Sequence, residues 1–140
     1  MYFIDLNYLA IIVAALIPLL LGSFWYSPVA FGNQWLMLSN IGKENTPQSR
    51  REIVLAFLGS FAAGFVMSLV LAVLIRNLLV FSAVDGMEVG FWVWLGFVAS
   101  TMLPEYLFGG SAKPYQLYAL TAGYHLLSLV VMGALLAMWL

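Results

Sequence analysis

The sequence predicts an all-α fold: a four-helix transmembrane bundle with a short interfacial segment between helices 1 and 2. Three observations carry this. Of 140 residues, 64% are hydrophobic and 8% charged, with a mean hydropathy of +1.02, whereas a soluble domain carries about 25% charged residues. The charges are clustered, and four charge-poor stretches between them reach the roughly 20 apolar residues a helix needs to cross the hydrocarbon core. Strand-like alternation is absent, and lipid offers backbone groups no hydrogen-bond partners, so helix is the spanning form. A single domain over 1–140 follows, because each apolar stretch must find partners in one small bundle.

The first span covers 6–26. Tyr2, Phe3, Ile4 and Asp5 stand where a signal peptide would be basic, and Phe24, Trp25 and Tyr26 where it would be cleaved, so it reads as a retained span. The second covers 53–75. Thr46-Pro47 offers an N-cap with proline in the first turn, and Ser49-Arg50-Arg51-Glu52 matches a capping box. Arg76 closes this helix, where a cation suits the negative end of the dipole. The third covers 89–108, with Asp85-Gly86 expected as a turn before it and Gly109-Gly110 after it. Pro114 opens the fourth, 115–139. Between the first two spans, Phe31, Trp35 and Leu38 share one helical face, with Asn33 and Gln34 off it. That pattern fits either a short helix along the inner leaflet or a loop with aromatic anchors.

Lysine and arginine placement gives an orientation. Lys43, Arg50, Arg51 and Lys113 flank the first and third connections; the opposite side holds Arg76 with Asp5, Asp85 and Glu88. Both termini are therefore expected outside, periplasmic in a bacterial inner membrane.

Helices associate in lipid through close approach of small residues. Ala56, Ser60, Gly64, Ser68 and Ala72 recur every four residues on the second span, a predicted packing seam for another span or a second copy. Ala10, Ala14, Pro18 and Gly22 form a weaker seam on the first. On the fourth, Tyr118, Thr121, His125, Ser128 and Met132 line one side. A stripe that polar is expected to face the bundle interior.

Ionisable groups at membrane depth are the natural functional candidates. The helical rise puts His125 near the midplane and Glu105 about one turn from the inner end, level with Tyr118, Trp25 and Tyr26. They are separated by roughly 10 Å along the normal, too far to pair. His125 is expected to be satisfied by a neighbouring helix, through Ser60 or Ser68, Ser100 or Thr101, or the Ala14 carbonyl that Pro18 deprives of its helical donor. The sharper reading makes it a proton-relay or ligand-contact residue. Glu105 is expected to snorkel to the headgroups, assisted by Lys113 or interfacial aromatics; its functional reading is an acid admitting a cation.

The sequence shows no phosphate loop, no paired carboxylates on one helix face and no nucleophile with a nearby base. There is no cysteine and one histidine, which argues against a protein-only zinc site. No enzyme activity, cofactor or metal is expected. A net charge of −1 gives no reason to expect nucleic acid.

Trp25-Tyr26-Ser27-Pro28, then Phe31-Gly32 and Trp35, resemble the N-terminal signature of the bacterial membrane family called domain of unknown function 1761; Asn7-Tyr8 and Gly96-Phe97 fit the same pattern. Ala122-Gly123-Tyr124-His125, Met132-Gly133-Ala134 and Trp139 resemble its closing helix. The resemblance implies a four-helix inner-membrane protein of no established activity. It singles out Trp25, Tyr26, Pro28, Gly32, Trp35, Tyr124 and His125. One departure is visible. Gly109, Gly110 and Ser111 follow the Tyr-Leu-Phe string where family members tend to carry an acid and a base, and here the acid is Glu105, before it.

The leading expectation is a non-enzymatic small membrane protein, in contact with lipid and with itself or another membrane protein, as a homo-oligomer or an accessory subunit. The alternative is a small-solute transporter or ligand-binding bundle using the polar face of the fourth helix.

Overall fold

The computed structural model describes residues 6–39 and 49–139. They form α1 (Tyr8–Trp25), α2 (Gly32–Ser39), α3 (Arg50–Asn77), α4 (Ala83–Phe108) and α5 (Pro114–Trp139), with no strand among the described residues. α1, α3, α4 and α5 are long and apolar enough to cross a membrane. The segment between the first two spans is the short helix rather than the plain loop.

The caps explain the boundaries. The Asn7 side chain accepts from the Ala10 amide at 3.2 Å, satisfying one donor that a helix start leaves free. At α3 the capping box is complete: Ser49 Oγ accepts from the Glu52 amide at 3.1 Å, and the Glu52 carboxylate accepts from the Ser49 amide at 3.2 Å. The Thr46-Pro47 signal lies outside the described residues, as do Lys43 and Asp5. Arg76 sits in the last turn of α3. That helix ends with Leu79 at φ 55, the Val80 amide donating back to the Ile75 carbonyl at 3.1 Å. This is the backbone path of a glycine-terminated helix, followed here by leucine.

One boundary differs from the sequence reading. Asp85-Gly86 is not a turn but part of the first turn of α4, which begins at residue 83 rather than 89. Ser82 is the N-cap, its hydroxyl accepting from the Asp85 amide at 3.1 Å and donating to Asp85 Oδ2 at 2.7 Å. An acidic side chain suits a helix start. Gly86 has a packing role instead: a Cβ built on it would lie 2.3 Å from the Gly133 carbonyl oxygen.

α5 touches every other helix and is most extensively packed against α4, while α1 pairs chiefly with α3. The α4–α5 seam is a backbone-to-backbone contact. A Cβ on Gly90 would fall 2.3 Å from the Leu129 carbonyl oxygen, and one on Gly133 2.1 Å from that of Gly86. Gly86 and Gly90 are four apart, the small-xxx-small spacing that lets helices approach in lipid.

The α1–α3 seam uses three of the five small residues on the second span. Gly64, Ser68 and Ala72 are buried. A Cβ on Gly64 would lie 2.6 Å from the Ala15 carbonyl oxygen, and Ser68 Oγ donates to the Ile11 carbonyl at 2.8 Å. Ala56 and Ser60 are exposed. On α1, Ala10, Ala14 and Pro18 are buried.

Burial is therefore uneven along the bundle axis. Ile11, Leu71, Ile75, Met132 and Leu136 are fully buried at the end bearing the termini. Toward the end bearing α2 it is α3 that loses its cover: every residue from Arg51 to Ser60 is exposed.

α4 carries a π-helical turn over Trp94–Ala99. Ser100 Oγ donates to the Gly96 carbonyl at 2.6 Å, and Thr101 Oγ1 to the Phe97 carbonyl at 2.5 Å. Pro104, one turn on, provides no amide hydrogen. Such turns interrupt α-helices mostly as single insertions, frequently at functional sites.

Candidate functional site

α1 ends in a hydrogen-bonded turn that folds α2 back onto the bundle. The Ala30 and Gly32 amides both donate to the Ser27 carbonyl, at 3.1 and 2.9 Å, and the Phe31 amide to the Trp25 carbonyl at 2.9 Å. Pro28 occupies the second position of the Ser27–Ala30 turn, where its fixed φ is favourable. Gly32 is buried, and a Cβ there would stand 2.3 Å from the Tyr26 carbonyl oxygen. Only glycine fits so close a return of the chain.

This turn delivers four aromatic rings to one place. Trp25 packs on Phe31 with centroids 4.6 Å apart, and Tyr26 meets Trp35 edge-on at 5.6 Å. Tyr26 also contacts Tyr124 of α5 at 5.4 Å, and Tyr124 contacts His125 at 4.8 Å. Residues from the two ends of the chain thus form one aromatic row, Trp35–Tyr26–Tyr124–His125.

Hydrogen bonds fix the row to the bundle. Trp25 Nε1 donates to the Leu120 carbonyl at 3.2 Å, while the Tyr124 hydroxyl donates to the Pro18 carbonyl at 2.7 Å. Gly22 leaves room for that phenol, since a Cβ there would be 3.2 Å from the hydroxyl oxygen. From the other side, Trp94 Nε1 donates to the Ala122 carbonyl at 2.8 Å, and the Tyr118 hydroxyl to the Ala99 carbonyl, at the end of the π turn, at 2.9 Å. The segment of α5 from Tyr118 to Tyr124 is therefore a hub, accepting two indole donors and sending out two phenols. These bonds add side-chain-to-backbone links to the packing between helices.

The family model "Protein of unknown function (DUF1761)" matches residues 9–137. The chain belongs to the DUF1761 family. No curated protein and no solved structure matches it. In this DUF1761 protein the positions that suggested the family from opposite ends of the sequence are the ones in mutual contact.

The remaining candidates divide. Ser128 is fully buried and bonds within its own helix, its Oγ donating to the Tyr124 carbonyl at 2.9 Å. Thr121 Oγ1 likewise donates to the Leu117 carbonyl at 3.0 Å. His125 is half-buried against Tyr124, and its side chain forms no hydrogen bond among the described residues. Three of its expected partners bond to carbonyls: Ser68 to that of Ile11, and Ser100 and Thr101 within α4. Those hydroxyls donate to backbone carbonyls, and the expected bond to His125 is not among the hydrogen bonds of the described residues. Glu105 is exposed and lines a groove with Trp35 and Tyr106. Lys113, expected to assist it, lines a separate groove with Trp25 and Phe31.

Trp94, Tyr106 and the Gly86–Gly90 pair escaped the sequence reading. The glycine pair carried a signal in its four-residue spacing. Trp94 carried only its position, an indole donor in mid-span that must find an acceptor.

Proposed function

We propose that this DUF1761 protein is a non-enzymatic membrane component that works in association, as a homo-oligomer or as an accessory subunit of a larger complex. Gly59 is the observation that carries this reading. It lies in the exposed half of α3, and a Cβ built on it would meet nothing within 4 Å. Glycine costs a helix about 1 kcal/mol relative to alanine, and Gly64, Gly86, Gly90 and Gly133 all recover that cost in close backbone contacts. Among the described residues Gly59 has no such use, nor has Gly96 of α4. Ala63 follows four residues later, also exposed, so the pair presents a small-xxx-small surface on the side of α3 away from α1. A second helix, from another copy or another protein, is the complement it suits.

Extraction in mild detergent followed by native mass measurement tests the proposal. A complex larger than the 15.5 kDa chain is expected, and a lone chain that binds nothing contradicts it.

The same reading sets the α2 end on the cytoplasmic side of an inner membrane, because Arg50, Arg51 and Lys113 gather there. Both termini then face the periplasm.

A transport or ligand-binding role for the polar face of α5 has one observation in its favour. Tyr124 lines a cleft of about 310 Å³ with Pro18, Gly22, Tyr26 and Ser60. Thr121 and Ser128 turn their hydroxyls to their own helix, which leaves that cleft little polarity from α5. Unchanged flux or binding in reconstituted His125→Ala vesicles would remove His125 from such a role.

A further inference from the structure

Where α2 passes the end of α4, a groove of about 310 Å³ is lined by Trp35, Ser39, Glu105, Tyr106 and Ser111 among others. Among the described residues its chemistry is one-sided. Glu105 is the carboxylate there, and it makes no ion pair among the described residues. The nearest lysine in sequence, Lys113, lines the other groove, beside Gln34 and Gln116. α4 terminates at Phe108, so the groove also lies at the negative end of a helix dipole.

Two aromatic rings flank this negative site, and each is held from behind. Trp35 rests against Tyr26, and Tyr106 against Tyr118 at 6.1 Å. The floor is fixed as well: Ser111 Oγ donates to the Leu38 carbonyl at 3.0 Å, tying the 109–113 connection to α2. Indole and phenol faces attract cations, and organic ammonium groups most characteristically, because such cations shed water easily. A hard metal ion would need several oxygen ligands, whereas no group of three metal-binding side chains occurs among the described residues. An anion would meet the Glu105 charge.

We propose that this groove binds an organic ammonium head, with the Glu105 carboxylate as counter-ion and the Trp35 and Tyr106 rings as walls. The ammonium belongs either to a lipid headgroup, since the groove lies level with the end of a span, or to a free amine. The site does not depend on the association surface of α3, which lies elsewhere on the molecule.

The full chain in phosphatidylglycerol nanodiscs, a lipid without an amine on its headgroup, gives the test. Choline chloride is titrated against sodium chloride at equal ionic strength, with binding followed by calorimetry and by tryptophan fluorescence. Saturable binding of choline is expected. Glu105→Gln, at an exposed position, is expected to keep the helical circular dichroism and to bind about tenfold more weakly. Trp35→Phe keeps an aromatic wall, so it is expected to retain calorimetric binding with a smaller fluorescence change. Repetition in phosphatidylethanolamine nanodiscs separates the sources: loss of choline binding identifies a resident headgroup, and unchanged binding identifies a free amine. No saturable choline binding in phosphatidylglycerol, or Glu105→Gln binding as well as wild type, overturns the proposal.

Discussion

The Tyr124 hydroxyl donates to the Pro18 carbonyl at 2.7 Å, joining α5 to α1. Gly22 makes space for the ring and Tyr26 packs against it. Tyr124→Phe retains the ring and removes only this bond. The expected loss is about 1 kcal/mol, the usual size of a hydrogen bond between membrane helices. Unfolding in mixed micelles measures it, and Tyr124→Ala should lose clearly more because the aromatic row goes with the bond.

Two glycines should respond oppositely to the same change. Gly133→Ala places a methyl 2.1 Å from the Gly86 carbonyl oxygen, forcing α4 and α5 apart at a cost of about 1–3 kcal/mol. Gly59→Ala adds a methyl to open space and should raise the stability of the single chain by up to about 1 kcal/mol. The difference in unfolding free energy between the two variants checks both.

Leu79 sits at φ 55 with its side chain exposed. A non-glycine residue in this region carries about 1–2 kcal/mol of steric cost, and little of that is recovered by an exposed leucine. Leu79→Gly is therefore expected to stabilise the protein by up to about 1 kcal/mol, after the larger chain entropy of glycine is subtracted. Thermal unfolding in detergent reads the change.

The chain has no cysteine, so single cysteines report topology without a background. Asn33→Cys on α2 and Phe81→Cys between α3 and α4 are both exposed positions. If the α2 end is cytoplasmic, a membrane-impermeant maleimide should label Phe81→Cys in intact spheroplasts, and Asn33→Cys only after they are lysed. The reverse pattern would invert the orientation.

The spans were legible in the sequence because lipid imposes a length and a polarity that few other environments do. The start of α4 was not. Asp85-Gly86 has the chemistry of a turn, and only the backbone of Gly133, far along the chain, makes Gly86 a helix-packing residue. The seam on α3 was visible as a spacing, but spacing cannot say where a helix leaves its neighbours. Gly64, Ser68 and Ala72 meet α1, whereas Ala56 and Ser60 lie where α3 is exposed. The polar stripe on α5 was likewise visible, and its members have different fates: Tyr118 reaches α4, while Thr121 and Ser128 bond within α5. The resemblance between the chain ends and one family gave the residues of the aromatic row, but the contact of Trp35 with Tyr26 depends on the Gly32 turn folding α2 back.

Gly59 bears most directly on the central claim that α3 offers its outer face to another helix. Wild type, Gly59→Leu and the control Leu20→Phe, which changes an exposed residue on α1, would be extracted in mild detergent and compared by native mass. The account predicts a complex for wild type and Leu20→Phe, and a single folded chain for Gly59→Leu. A single chain for wild type, or an undiminished complex for Gly59→Leu, would contradict it.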